Sequence, residues 1–217
     1  MKRIIFLFVS LVCVLCVCAE NYPISPVPFT QVKIVSGTFW GQRLNAAREV
    51  TVPLAFSKCE ETGRYRNFES AAEQLAGKDT RDVKVEGFSF DDTDVYKTIE
   101  GCSYLLQTFP DLKLNISVPD SKGQKGWQRT VPAKAYMDSV LAIVKKAQEK
   151  DGYLYTARTM NPAHPHAWAG KERWEKVEDL SHEFYNLGHM VEGAIAHYQA
   201  TGETTFLNIA RDYADCV

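Results

Sequence analysis

The chain has 217 residues, a formal net charge of −2 and 24% charged side chains. That balance gives no reason to expect nucleic acid or an anionic membrane surface as a partner. With a leader set aside, about 198 residues remain, enough for one ordinary domain or part of a larger one.

The leader comes first. Lys2 and Arg3 precede an apolar run from Ile4 to Val17. A positive start and a short apolar stretch form the pattern of a secretory signal. The run is about 14 residues, where a spanning helix needs roughly 20. Val17 and Ala19 suit the cleavage positions. Residues 1–19 are therefore expected to be a signal peptide, and the product to be exported, periplasmic or extracellular, with no stable membrane span. Cys13, Cys16 and Cys18 lie in that segment, which leaves Cys59, Cys102 and Cys216. An odd number at wide spacing is neither a disulfide framework nor a local zinc motif. All three are expected to be small core residues.

Residues 20–38 read as an extended lead-in with Pro23, Pro26 and Pro28, and the alternation Gln31–Val35 predicts one short strand. Leu44, Ala47, Val50, Leu54 and Ala55 have helical spacing, with Pro53 forcing a kink or break. Asn67–Leu75 is a second short helix closed by Gly77. Asp92 or Thr93 caps a helix to about Phe109, whose stripe is Ile99, Cys102, Leu105 and Leu106. Residues 110–129 lack period and read as a loop. Thr130-Val131-Pro132 opens a helix with Tyr136, Val140, Ile143, Val144 and Ala147 on its apolar face, stopping at Asp151-Gly152. Residues 152–179 are irregular but aromatic, with Tyr153, Tyr155, Trp168 and Trp174. A helix from Ser181 to Ala200 ends at Thr201-Gly202, and a last one, from near Glu203, runs to the final residues. A chain stopping inside an amphipathic helix is expected to continue, so a downstream part of the same polypeptide is an expected partner. The fold class is all-α, built from antiparallel helical hairpins, with one short N-terminal strand.

Three groups of residues carry possible chemistry. His182 and His189, seven apart, lie near one helical face. A zincin needs histidines four apart, and position 186 is Asn186, so that reading fails. His182, Tyr185, Asn186 and His189 instead form a polar set able to line a cavity and bond hydroxyls. Gly188 and Gly193 are expected to admit a neighbouring helix. Asp91, Asp92 and Asp94 could pair as acid and base or bind calcium, but two of them are expected to cap a helix, with Asp94 pairing with Lys97 or facing a cleft. Gln148, Asp151, Gly152 and Tyr153 make a turn or a site wall.

Four blocks then resemble a known family: FDDTDVYKTIEGCSY (90–104), AQEKDGYLYT (147–156), SHEFYNLGHMVEGAIAHYQATG (181–202) and ARDYADCV (210–217). Together they are similar to glycoside hydrolase family 127 and its relative family 146, whose founding activity is β-L-arabinofuranosidase. The resemblance runs with gaps from about residue 29 to 217. It implies a six-hairpin α/α barrel, of which residues 39–217 would form roughly half, followed by β-sandwich domains that the 31–35 strand would join. It implies a retaining mechanism on an oligosaccharide, with a zinc-bound cysteine thiolate as nucleophile and a glutamate acid/base. None of those catalytic or zinc residues falls in the matched region, so this chain itself is expected to bind no zinc and to be inactive alone. His182 matches a sugar-binding histidine; Asp94, Tyr96 and His189 match motif positions. The sequence departs from the pattern in a longer 110–129 connection and in Thr98, where a bulky aromatic is common. The alternatives are a non-catalytic carbohydrate-binding or scaffold protein on a helical-hairpin fold, and another six-hairpin glycosidase.

Overall fold

A computed structural model describes residues 24–120 and 126–217. The expected signal, residues 1–19, lies outside the described residues. The chain divides after Lys33 into two units. In the first, the described part holds a single 3-10 turn at Phe29–Gln31. Gln31–Val35 forms no strand, which corrects the expectation from its alternation. Period-two patterning makes a strand only where another edge supplies hydrogen bonds, and no ladder reaches this segment among the described residues.

The second unit begins with α1 (Phe39–Ala46), capped by Thr38, whose Oγ1 accepts from the Gly41 N–H at 3.2 Å. A π-helical turn over Ala47–Thr51 joins α1 to α2 (Val52–Glu61). Pro53 explains it. Proline has no N–H to give Glu49, and its ring would clash with that carbonyl. The wider turn absorbs both, so the expected break becomes a bulge. Gly63 turns the chain into α3 (Arg64–Leu75). Next come α4 (Asp92–Thr108), α5 (Ala133–Lys146), the one-turn α6 (Thr156–Thr159), α7 (Glu183–Thr201) and α8 (Thr205–Asp215). In α4, Val95, Ile99, Cys102 and Leu106 are buried at steps of three and four. In α8, Phe206, Ile209, Ala210 and Tyr213 do the same.

Residues 110–129 are not all loop. Lys113–Val118 (β1) pairs antiparallel with Trp127–Pro132 (β2), Lys113 opposite Pro132 and Val118 opposite Trp127. Leu114, Ile116 and Val118 point inward and alternate with exposed Lys113, Asn115 and Ser117. β2 is largely exposed, and its proline sits at the strand end, where a missing donor is tolerated. The hairpin is held on α2 by the Ser117 N–H donating to Ser57 Oγ at 3.1 Å.

Around this core the helices pack in pairs: α4 on α7, α7 on α8, α3 on α5 and α2 on α4. At Gly193, α7 runs close against α4. A Cβ there would lie 2.9 Å from the Tyr96 carbonyl oxygen and 3.2 Å from the Phe206 ring. Gly188 faces open space, so the packing role expected of both glycines holds for Gly193 alone. Among the described residues no helix is long and apolar enough to cross a membrane.

Candidate functional site

His182 occupies a strained backbone position just before α7, with φ 55 in the left-handed region. Such a conformation persists only where its surroundings over-determine it. Both neighbours are fully buried and tied down. Tyr155 Oη donates to the Ser181 carbonyl at 2.6 Å. Glu183 is wholly buried and accepts from Tyr153 Oη at 2.6 Å, Ser181 Oγ at 2.9 Å and the Trp174 N–H at 3.2 Å. Fixed on each side, His182 turns its ring out of the helix.

That ring stacks on Phe90, centroids 4.5 Å apart and planes 16° from parallel. Phe90 in turn lies nearly parallel to Phe88 at 5.5 Å and to Trp168 at 6.3 Å. The result is a platform of parallel rings with Phe88 and His182 reaching solvent. Such faces suit the C–H surface of a sugar, and the imidazole adds a donor and an acceptor. Tyr185 stands edge-on to His182 at 5.8 Å and to His189 at 4.5 Å. Lys97 Nζ donates to Tyr185 Oη at 2.5 Å. His189 Nδ1 sits 3.1 Å from Glu192 Oε2, on the helix surface. The structure thus brings His182, Tyr185 and His189 together, with Lys97 beside them. The platform partners Phe88 and Phe90 were missed as a pair. The turn over Phe88–Asp91 brings the two rings together, and a pair of aromatics just ahead of the aspartate run is the signal that could have found them.

The remaining candidates do other work. Tyr96 is fully buried in the core between Phe68 and Phe206 and presents no surface to a ligand. Asp94 pairs with Arg64 at 3.1 Å, not with Lys97, and Arg64 also holds Asp91 at 2.7 Å. Asp91 accepts from the Phe88 N–H at 2.7 Å, which anchors the loop that carries the platform. Asp92 does not cap its own helix α4; its side chain reaches instead to the start of α6. It is buried, and it accepts from the Thr156 N–H at 2.8 Å and contacts Thr156 Oγ1 at 2.6 Å. Burial, partly offset by those contacts, pushes its carboxyl up to about 7. The aspartates are therefore fasteners for the segments around the platform. Asn186, in the polar set by spacing, is fully buried.

Gln148, Asp151, Gly152 and Tyr153 form a turn. Gln148 Nε2 donates to the carbonyls of Gly152 at 2.9 Å and Ile209 at 2.8 Å, and Arg173 pairs with Glu149 and Asp151 over the Tyr153 ring. Gly152 has φ 97, and a Cβ there would lie 1.9 Å from the Asp212 carbonyl oxygen. Gly152→Ala is expected to lose about 2–3 kcal/mol, from strain plus overpacking. Urea unfolding checks it, and a loss under about 0.5 kcal/mol, the scale of a neutral surface change, would contradict the geometry.

The described residues do not fit the zinc–thiolate centre that the resemblance implies. Cys59 and Cys102 are buried separately, and burial pushes their thiols up to about 11 and about 12. Cys216 is half-buried near Arg173 rather than a core residue, and its thiol is also raised by burial. Among the described residues no cluster of metal-capable side chains includes a cysteine.

A family model described as β-L-arabinofuranosidase, GH127 catalytic domain, matches residues 31–118 and 130–217. It passes over 119–129, where the connection was expected to be long. The non-reducing end β-L-arabinofuranosidase of Bifidobacterium longum subsp. longum is 31% identical over 185 residues, 82% of this chain and 23% of that protein. A solved GH127 β-arabinofuranosidase is 65% identical with a TM-score of 0.75, covering 90% of this chain and 27% of the other. The GH127 β-L-arabinofuranosidase Ara127N-Se of Geobacillus stearothermophilus T6 is 28% identical with a TM-score of 0.63, covering 84% and 25%. The chain spans about a quarter of the length of these relatives. With its mostly helical fold shared and most of its length matched, the chain belongs to the family of the GH127 β-L-arabinofuranosidase catalytic domain.

Proposed function

We propose that this chain supplies one wall of the sugar pocket of an exported, periplasmic or extracellular glycoside hydrolase. That enzyme would release terminal β-L-arabinofuranose from plant-type glycans with retention. The observation that carries the reading is the ring platform ending in His182, in a chain whose relatives bear that activity in their names. In this role the rings hold the sugar's apolar face and His182 bonds a hydroxyl, with His189 and Tyr185 setting its edge. Tyr96 from the core and Asp94 through its pair with Arg64 act by positioning α4. The bond-breaking groups, and the zinc, are assigned to parts of the longer polypeptide that these residues do not include.

Two measurements test this. The 217-residue chain alone is expected to show no turnover of an aryl β-L-arabinofuranoside with zinc present, and zinc-dependent hydrolysis by it would overturn the assignment. In the longer gene product, His182→Ala is expected to lower kcat/KM by about 10- to 100-fold, the loss of one or two bonds to substrate. An unchanged kcat/KM would remove His182 from the pocket. The exposed platform also suits a non-catalytic carbohydrate-binding scaffold. Sugar binding without turnover by the longer product would favour that reading.

A further inference from the structure

At the far end of α7, a second cluster stands apart from the platform. His197 lies 15 positions after His182, which is about 22 Å along a helix. It is fully buried, yet neither ring nitrogen has a hydrogen-bond partner. A buried imidazole normally satisfies at least one nitrogen, because leaving both bare forfeits their hydration. Two carboxylates face it: Asp138 from α5, and Glu203 from the turn between α7 and α8. One ligand atom from each of the three residues lies within 4.8 Å of the others. The turn that presents Glu203 is itself built. Gly202 takes φ 73, and Thr201 Oγ1 accepts from the Glu203 N–H at 3.1 Å.

We propose that Asp138, His197 and Glu203 form a divalent-metal site, suited to zinc, that fastens α5 to the end of α7. One imidazole and two carboxylates are a donor set that zinc accepts, with water completing a tetrahedron. The half-exposed carboxylates leave an entry path, and the buried imidazole gives the site a fixed floor. The cation now between the carboxylates is Lys134. Its Nζ lies 2.9 Å from Asp138 Oδ2 and 2.5 Å from Glu203 Oε1. It has no bond to His197. Metal entry therefore displaces the ammonium outward, and the three ligands close toward metal distances of about 2.0–2.2 Å. Lys134 acts as a competitor for the site, a role that a purely structural ion-pair triad would not give it. His197, packed edge-on to Phe206 at 6.4 Å, is already the neutral donor that a metal requires, since burial lowers its basicity.

The test is titration of the chelator-stripped 217-residue chain with cobalt(II) and zinc against a competing dye, with circular dichroism to confirm folding. One metal per chain is expected. The cobalt d–d absorption should appear without a thiolate-to-cobalt charge-transfer band, which separates this site from the cysteines. Losing a direct ligand must cost at least what losing a ligand's supporting partner does, so His197→Ala and Asp138→Asn should each weaken binding at least about tenfold. Lys134→Met should tighten it several-fold. If His197→Ala fails to fold, the half-exposed Asp138 and Lys134 variants decide. No binding, a thiolate charge-transfer spectrum, unchanged affinity in Asp138→Asn, or no gain in Lys134→Met each overturns the proposal.

Discussion

Replacing Glu183 by alanine is expected to cost about 3–5 kcal/mol of stability, from buried donors left without their acceptor and from the cavity behind them. The carboxylate is fully buried and takes bonds from Tyr153 Oη, Ser181 Oγ and the Trp174 N–H. Alanine leaves the two buried hydroxyls, and the part-buried Trp174 N–H, without that acceptor, at about 1–3 kcal/mol for each buried donor before any relaxation. It also frees Trp174, whose φ of 68 is held in the left-handed region beside that bond. Glu183→Gln keeps one acceptor oxygen and should cost less, about 2 kcal/mol. Urea unfolding gives the free energies, and near-ultraviolet circular dichroism follows the packing of Trp174 and Tyr153. Both variants unfolding within about 0.5 kcal/mol of the parent would refute the network's role.

Asp92→Asn is expected to act in the opposite direction, and only above mildly acidic pH. The folded carboxyl is raised to about 7 from the ordinary aspartate value of 3.8. Between those values the unfolded chain has lost the proton that the folded chain keeps. The folded state then binds more protons, so the contribution of Asp92 to stability falls as pH rises from about 4 to about 7 and levels off above that. The shift corresponds to a penalty of up to about 4 kcal/mol at neutral pH. Asparagine keeps both contacts, since its oxygen accepts from the Thr156 N–H and its amide donates to Thr156 Oγ1. The variant should match the parent near pH 4 to 5 and exceed it by a few kcal/mol at pH 7.5. Parallel stability curves across that range would show that Asp92 does not titrate inside the fold.

Much of the fold was legible because it rests on local pattern. The α4, α5 and α8 stripes follow a period of 3.6, and Gly77 and Gly202, both at positive φ, mark the ends of α3 and α7. The β-hairpin was missed although Leu114, Ile116 and Val118 alternate cleanly, because its partner strand is an exposed edge with no alternation of its own. The 31–35 segment shows the converse, alternation without pairing. For the site, the Ser-His-Glu block pointed to His182 and missed its glutamate. No spacing rule says that Glu183 turns inward to meet Tyr153 and Trp174, which come from an irregular segment. The partners of Tyr96 and the aspartates were not legible for the same reason. Their type suggested chemistry, while burial and long-range partners decided their role.

The fasteners of the 152–181 segment join residues far apart along the chain. Asp92 to Thr156 spans 64 positions, and Tyr153 to Glu183 spans 30. Closing such loops loses chain entropy before any anchor forms, although that loss grows only with the logarithm of length. Both carboxylates must first be enclosed by the pairing of α4 with α7. An order of events follows: the helices pair early, and the segment is cinched afterwards. Trp168 meets Phe90 only in that last stage, whereas His182 and Phe90 stand at the starts of α7 and α4. A chain that has collapsed without closing this segment has its helices but lacks the indole of the platform, so the full ring stack marks a completed fold rather than a helical one.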